Sequence, residues 1–467
     1  MTVSRAAAPL QSAPETFRYW LPPAQSDRWS GVWKNATVVS ALTGIARIAG
    51  AAKTIVIAQA FGAGTDLDAY LLAFLIPSFL ADVLCGAIVP ALVPRLIELM
   101  HRTTLMHHTT RSAALELYNG TILRSVSFVS FVAALLALPA SLALASHPAD
   151  RRTALACWLL LAMLPILPLS ALSNVWRATL YANRRFAVAA MASVFTPIVI
   201  ILALMVLRRS VYWLAAGTTL GALAEAAVLG LAVRRLGIRL FSRGSSRWEH
   251  RNEIAVREYR SLAVTNLVLG GSLFLGQYMA ATLGPGAVSI LNYGTRLTPV
   301  LIAIGPEALG ITLLPRFSQM MADGGSAKAG TFLSRALTVA MCGSAVLAAV
   351  LIFFSRTIVR IVFQHGAFVA ADALPVTLVQ SASLLQLPFV VGIALLNRFV
   401  ASARVNRILI PISAAGLALN VILSLLLMRS FAVAGIAMAN TLAQAAVFVI
   451  LLIAVSRVRR HREVLAC

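Results

Sequence analysis

Acidic side chains are scarce in this sequence: 16 Asp and Glu stand against 39 Lys and Arg, and both signs together make up only 12% of 467 residues. A soluble chain of that length needs about a quarter of its residues charged to cover its surface, so water is excluded as the solvent for most of this one. Cysteine is scarce too. Cys85, Cys157, Cys342 and Cys467 show no CxxC spacing and three of them lie in apolar runs, so neither a disulfide nor a metal site is expected. There is no GxSxG, no Walker loop ending in GK[ST], no HExxH and no pair of carboxylates in a hydrophilic domain, which excludes the common hydrolase and nucleotide-driven chemistries and leaves no cofactor to expect. Residues 1–33 lack an apolar core of signal-peptide length and are expected to remain as a cytoplasmic tail. Cys467 is the final residue, too late for a prenylation box.

What is present is apolar: 60% of the chain. Runs of membrane-crossing length fall at about 36–60, 69–94, 125–146, 154–175, 187–207, 212–233, 262–283, 287–314, 333–354, 373–396, 408–428 and 432–455. They are continuously apolar rather than alternating, so the expected fold is an all-α polytopic membrane protein of about twelve transmembrane helices, not a barrel. Pro77, Pro90 and Pro94 in the second run and Pro299, Pro306 and Pro315 in the eighth predict kinks or breaks there. With the N-terminus inside, the cytoplasmic connections hold 29 Lys and Arg and the opposite ones 7, which places both termini in the cytoplasm. The formal charge of +23 therefore reads as topogenic charge facing an anionic leaflet and not as a nucleic-acid surface.

The run order divides the chain. A six-helix half at 34–233 and another at 261–455 flank a basic linker at 234–260 that carries eight Arg, and a basic tail follows at 456–467. The halves match at displacements of 218 to 222 residues. Phe61-Gly62-Ala63-Gly64 answers Leu283-Gly284-Pro285-Gly286, Leu92-Val93-Pro94-Arg95 answers Leu313-Leu314-Pro315-Arg316, Gly217 answers Gly435, and Ala224-Glu225-Ala226-Ala227 answers Ala443-Gln444-Ala445-Ala446. Repeats with an even number of spans share an orientation and enclose a central cavity, the usual place for a transported substrate.

Ionised groups inside the runs are few, and each costs about 2.5–3.5 kcal/mol if it faces lipid. Arg47 and Lys53 in the first run and Arg296 in the eighth are the basic ones; Asp82, Glu225 and Glu307 are the acidic ones, with Asp68 at the mouth of the second. Cations bordering a cleft suit an anionic substrate, because the Arg fork matches phosphate oxygens in pairs. The alternative is that Arg296 pairs with Glu307 or Asp82 and fixes helix packing, and that Lys53 snorkels. Glu225 is a candidate to carry a coupling proton, or else a buried hydrogen-bonded carboxylate. Asp68 and Asp82 are further candidate coupling or cavity residues. His365 is expected in a solvated loop.

Several of these segments resemble the MviN/MurJ family of lipid II flippases within the MATE-like exporter superfamily, over residues 36 to 455. Ala46-Arg47-Ile48-Ala49-Gly50, then Lys53 and Ile57 to Gly64, looks like that family's SRxxGxxRDxxxAxxFGAG; Asp68-Ala69-Tyr70 to Ile76-Pro77-Ser78 is similar to its DAFxxAFxxPN, and Asn292 to Leu297 to its xYAxRL. Ile361 to Phe368 is close to LLFxRGAF. The resemblance implies alternating access, an undecaprenyl-pyrophosphate-linked sugar as cargo, and Arg47, Lys53 and Arg296 as substrate-binding positions, in the bacterial inner membrane among membrane lipids and glycan-assembly enzymes. Departures are specific: Thr54 stands where the family has Asp, Ala81-Asp82 where it has Arg-Arg, and twelve runs replace the usual fourteen. These departures keep a lipid-linked exopolysaccharide or O-antigen oligosaccharide in view beside lipid II. A cation-coupled multidrug exporter would want an acidic, aromatic cleft, and a non-transporting scaffold of polysaccharide assembly would explain the lost charges.

Overall fold

In the computed structural model, the residues described are 27–105, 125–136, 139, 151–183, 185–206, 210–236, 253–304, 326–402 and 408–466. Among them every regular element is a helix. In chain order these are α1 Asp27–Phe61, α2 Thr65–Leu80, α3 Ile88–Leu105, α4 Ser125–Leu136, α5 Arg151–Met163, α6 Ile166–Ala182, α7 Phe186–Ala192, α8 Phe195–Val206 and α9 Val211–Arg235. They continue with α10 Glu253–Ala281, α11 Ala287–Gly294, α12 Leu297–Ile304, α13 Ser326–Phe353, α14 Ser355–Phe363, α15 Ala370–Leu384, α16 Leu387–Ser402 and α17 Leu409–Ala466. A π-helical turn, Ala81–Cys85, joins α2 to α3.

Nine stretches among the described residues are long and apolar enough to cross a membrane. The number understates the spans, for physical reasons that can be located. Leu409–Arg457 is one 49-residue stretch, but Ala432 breaks its backbone with φ 48°, ψ −130°, where the eleventh and twelfth apolar runs meet. Ser125–Leu136 is the described part of the third run. The eighth is broken after Gly294 into α11 and α12, as its prolines predict, and its remainder from 305 lies outside the described residues. The described part of each of the twelve runs thus coincides with helix, in a multi-pass membrane protein. Residues 1–26, 237–252 of the linker and Cys467 also fall outside. The large exposed apolar side chains along the spans are mostly Leu, Ile, Val and Phe, with a few Met, Trp and Tyr, the surface that lipid requires.

Packing follows the two halves. In the first, α9 lies against α6 and α8, α2 against α5, and α1 against α7 and α8; in the second, α17 gathers α10, α15 and α16, while α13 packs on α16. Between halves, α10 runs along α2, the π turn and α3, α11 touches α2, and α14 touches α1. Tyr259 Oη donates to the Leu84 carbonyl at 2.8 Å and Asn266 Nδ2 to the Asp82 carbonyl at 3.2 Å, while Phe79 and Phe274 pack ring to ring at 4.7 Å.

The halves are sewn together at the end where α1 finishes. Gly286, at φ +83°, precedes α11 and turns its N–H to Asp68 Oδ2 at 2.6 Å; Ser289 gives its N–H and its hydroxyl to Asp68 Oδ1 at 2.8 and 2.6 Å. A carboxylate is favoured at a helix N-terminus because the first amides lack intrahelical partners. Asp68 can therefore sit at 0% exposure. Tyr293 Oη donates to the Gly62 carbonyl at 2.9 Å, and its ring packs tilted against Phe363 and edge to face against Phe368. The Ala367 N–H reaches the Gln59 carbonyl at 2.9 Å. Gly366, at φ +66°, lies so close to that same carbonyl that a β-carbon would collide with backbone.

Asp68→Ala should leave three buried donors without an acceptor and lower stability by about 3 kcal/mol, since each orphaned buried group costs about 1–3 kcal/mol and part of the loss relaxes. The thermal midpoint of the detergent-solubilised protein measures it. Asp68→Asn, which keeps one acceptor oxygen, should fall between Ala and the parent.

Candidate functional site

The three intramembrane cations of the sequence come together. Lys53 lies eight residues before the end of α1 and Arg296 ten after the turn at Gly286, so both stand roughly 12–15 Å of helix rise from the sewn end. Arg296 follows the end of α11, where Thr295 ties its hydroxyl back to the Leu291 carbonyl at 2.7 Å, and the break releases the Arg side chain sideways toward α1. Its guanidinium reaches α1 at Gly50: a β-carbon there would stand 4.0 Å from a guanidinium nitrogen, an ordinary contact distance. Arg296 lies within electrostatic reach of Arg47, and Lys53 within reach of Arg296. Although six positions put Arg47 and Lys53 off one stripe of α1, Arg296 sits where both are felt.

Arg47 is exposed, and Lys53 and Arg296 are half-buried. Among the described residues, no carboxylate pairs with any of the three. Glu307, one conceivable partner for Arg296, lies outside the described residues; Asp82, the other, is not in contact with it. Three like charges at membrane depth can coexist only in a wet cleft, and an anion that fits between them is attracted by all three.

The acidic candidates have separate places. Asp68 is buried against the N-terminus of α11, where it accepts from Gly286 and Ser289. Asp82 is exposed on the π turn between α2 and α3, where only its backbone carbonyl is engaged by Asn266. Exposure of a carboxylate within a span again implies a wet face. Glu225 is held inside the first half: it forms an ion pair with Arg177 and accepts from Thr196 Oγ1 at 2.9 Å. His365 is exposed in its loop.

Arg177 is a further charge inside the helices that the sequence candidates did not include. It lies within α6, and its guanidinium reaches both Glu225 on α9 and Ser193 Oγ at 3.2 Å. The missed signal was an Arg surrounded by Val175, Trp176, Ala178 and Leu180, all of which are buried. A second polar group was missed. Asn440 Nδ2 donates to Gln386 Oε1 at 2.8 Å, and its own Oδ1 accepts from Asn420 at 3.1 Å and Ser272 at 3.4 Å, beside a cavity of about 140 Å³ in the second half. No cluster of His, Cys, Asp and Glu suited to a metal ion occurs among the described residues.

The sequence model described as "Lipid II flippase MurJ" matches residues 57–464. The lipid II flippase MurJ of Burkholderia cenocepacia is 28% identical over 368 residues, covering 74% of this chain and 67% of its own length. Among solved structures, a lipid II flippase MurJ in an inward closed conformation superposes with a TM-score of 0.74 at 19% identity, covering 90% of this chain and 87% of its own. An inward-facing multidrug resistance MATE family transporter of the MOP superfamily follows the same fold with a TM-score of 0.68 at 13% identity, covering 90% and 96%.

Removing one partner of the Arg177–Glu225 pair should cost more than removing both. Glu225→Ala should lose about 2 kcal/mol, less than the roughly 3–5 kcal/mol of a fully buried pair because both side chains retain about a fifth of their surface. Arg177→Met with Glu225→Leu should recover most of that loss in thermal unfolding.

Proposed function

The chain belongs to the MurJ family of lipid II flippases, and from that premise we propose that it carries an undecaprenyl-pyrophosphate-linked sugar, lipid II or a closely related glycan precursor, across the bacterial inner membrane by alternating access. It is a transporter and not an enzyme. The observation that carries the reading is the group of three cations, Arg47, Lys53 and Arg296, unpaired among the described residues and contributed by both halves. A pyrophosphate has the charge and the oxygens to engage two guanidinium forks and an ammonium at once. It supplies the counter-ion that the cleft lacks. Because Arg47 and Lys53 ride on α1 and Arg296 sits in the break just after α11, a phosphate held between them links the parts that must move relative to each other. A cationic drug would be repelled by the same group.

Asp82 favours a second reading of the head group. An exposed carboxylate on the π turn suits hydroxyl or amino donors of a sugar, which keeps a lipid-linked exopolysaccharide or O-antigen oligosaccharide as the alternative cargo. Orientation follows the charge bias: both termini in the cytoplasm, and the sewn end of α1 facing outward. Glycan-assembly enzymes are the natural neighbours of such a flippase.

Expression in a strain depleted of its lipid II flippase tests the cargo. The parent chain should restore growth, and Arg47→Ala and Arg296→Ala, at equal membrane levels, should not, since each truncation removes a charge-assisted contact of about 1.5–3 kcal/mol, roughly ten- to hundredfold in affinity. A well-inserted parent that fails to rescue points to the other lipid-linked glycan; variants that rescue as well as the parent overturn the cationic site. For orientation, a fluorescent protein that matures only in the cytoplasm should be bright when fused after Cys467, and alkaline phosphatase fused there should be inactive.

A further inference from the structure

Between the span that ends at Phe353 and the one that begins at Ala370 lies α14, nine residues whose three flanks differ in chemistry. Ser355, Val359 and Phe363 are buried against the protein, with Gln380 Nε2 donating to Ser355 Oγ at 2.9 Å to fix the helix on α15. Ile361, 67% exposed, projects on a second flank; eight and seven residues before it, at the start of the helix, stand Phe353 and Phe354, which are 81% and 49% exposed and packed edge to face. On the third flank stand Arg356 and Arg360, both exposed and one helical turn apart. A helix that starts one residue beyond a span, with a protein flank, an apolar flank and a cationic flank, has the construction of a segment lying in the lipid–water interface.

The two arginines go against the charge economy of their own side. They are two of only seven basic residues assigned to the connections opposite the Arg-rich linker, where cations are otherwise avoided. Like charges at i and i+4 destabilise a helix unless something anionic lies beside them, and neither Arg has an acidic partner among the described residues. The apolar flank next to them admits acyl chains, so an anion arriving there is one attached to a lipid.

We infer that α14 is a lipid-binding helix: Arg356 and Arg360 hold the phosphate of an anionic glycerophospholipid from the surrounding leaflet, with its acyl chains against Phe353, Phe354 and Ile361. The phosphodiester oxygens accept from the two guanidinium groups, which are separated by the one-turn spacing that a single phosphate can bridge. The occupant is a resident lipid and not the cargo, so the inference does not depend on which glycan is transported.

Native mass spectrometry of the purified full-length chain, titrated with phosphatidylglycerol or phosphatidylcholine, tests it. The parent should retain one more phosphatidylglycerol than Arg356→Gln/Arg360→Gln at equal lipid, should show no such excess for phosphatidylcholine, and should be matched by Arg356→Lys/Arg360→Lys, which keeps the charge. Arg429→Gln, which removes an isolated exposed Arg assigned to the same side, serves as the control and should retain the parental number. Equal retention by parent and Gln double variant, an equal loss in the control, or an equal excess of phosphatidylcholine would each overturn the inference. Loss of the bound phosphatidylglycerol to a competing undecaprenyl pyrophosphate would also overturn it, by making the helix a cargo site.

Discussion

A carboxylate with no exposed surface, set against the amide end of a helix from the other half of the chain, is the interaction on which much of this architecture rests. Asp68 is tolerable in that position because Gly286 and Ser289 supply three donors to it. Once α11 is held there, its eight residues fix where it ends, and Arg296 leaves the helix within reach of α1. The junction that joins the halves and the cation proposed to receive the cargo are thus opposite ends of one short rod. Tyr293, whose hydroxyl is tied to Gly62, sits on that same rod. Movement of the junction has to be felt by the cation, which is what a carrier needs and a static anchor does not.

The membrane-buried charges divide by what they are allowed to do. Arg177 and Glu225 satisfy each other within the first half, with Thr196 and Ser193 taking remaining hydrogen bonds, and they behave as internal scaffolding. Arg47, Lys53 and Arg296 are left without such partners among the described residues. In a low-dielectric setting a paired ion is nearly inert toward outsiders, while an unpaired one keeps its full field. The second half uses a third solution. Gln386, Asn420, Asn440 and Ser272 bind one another with no net charge, so helices cross through polar contacts at little desolvation cost.

The helices were legible in the sequence because hydropathy is a property of contiguous residues. The described part of each of the twelve apolar runs is helical, the break in the eighth falls near Pro299, and the Gly-x-Gly turns that revealed the repeat lead into α2 and α11. The cationic group was legible as three exceptions to apolarity. Partnership was not. Asp68 meets residues 218 and 221 positions away, and Arg177 meets Glu225 at 48, distances at which no local pattern marks a bond. Arg177 was also hidden by its place near a span boundary, where an Arg reads as topogenic until the helix is seen to continue to Ala182.

The π turn at Ala81–Cys85 has a consequence for how such a cleft can diversify. A π turn is an α-helix that has absorbed one extra residue, and everything beyond it is rotated by about 100° relative to an uninterrupted helix. The stretch above the turn can therefore keep its phase against α11 while the stretch below is re-aimed as a block. Asp82 sits at that phase boundary. A single-residue deletion there would change which side chains face the interior without disturbing the junction above, so the turn acts as an evolutionary joint at which contents and frame vary independently.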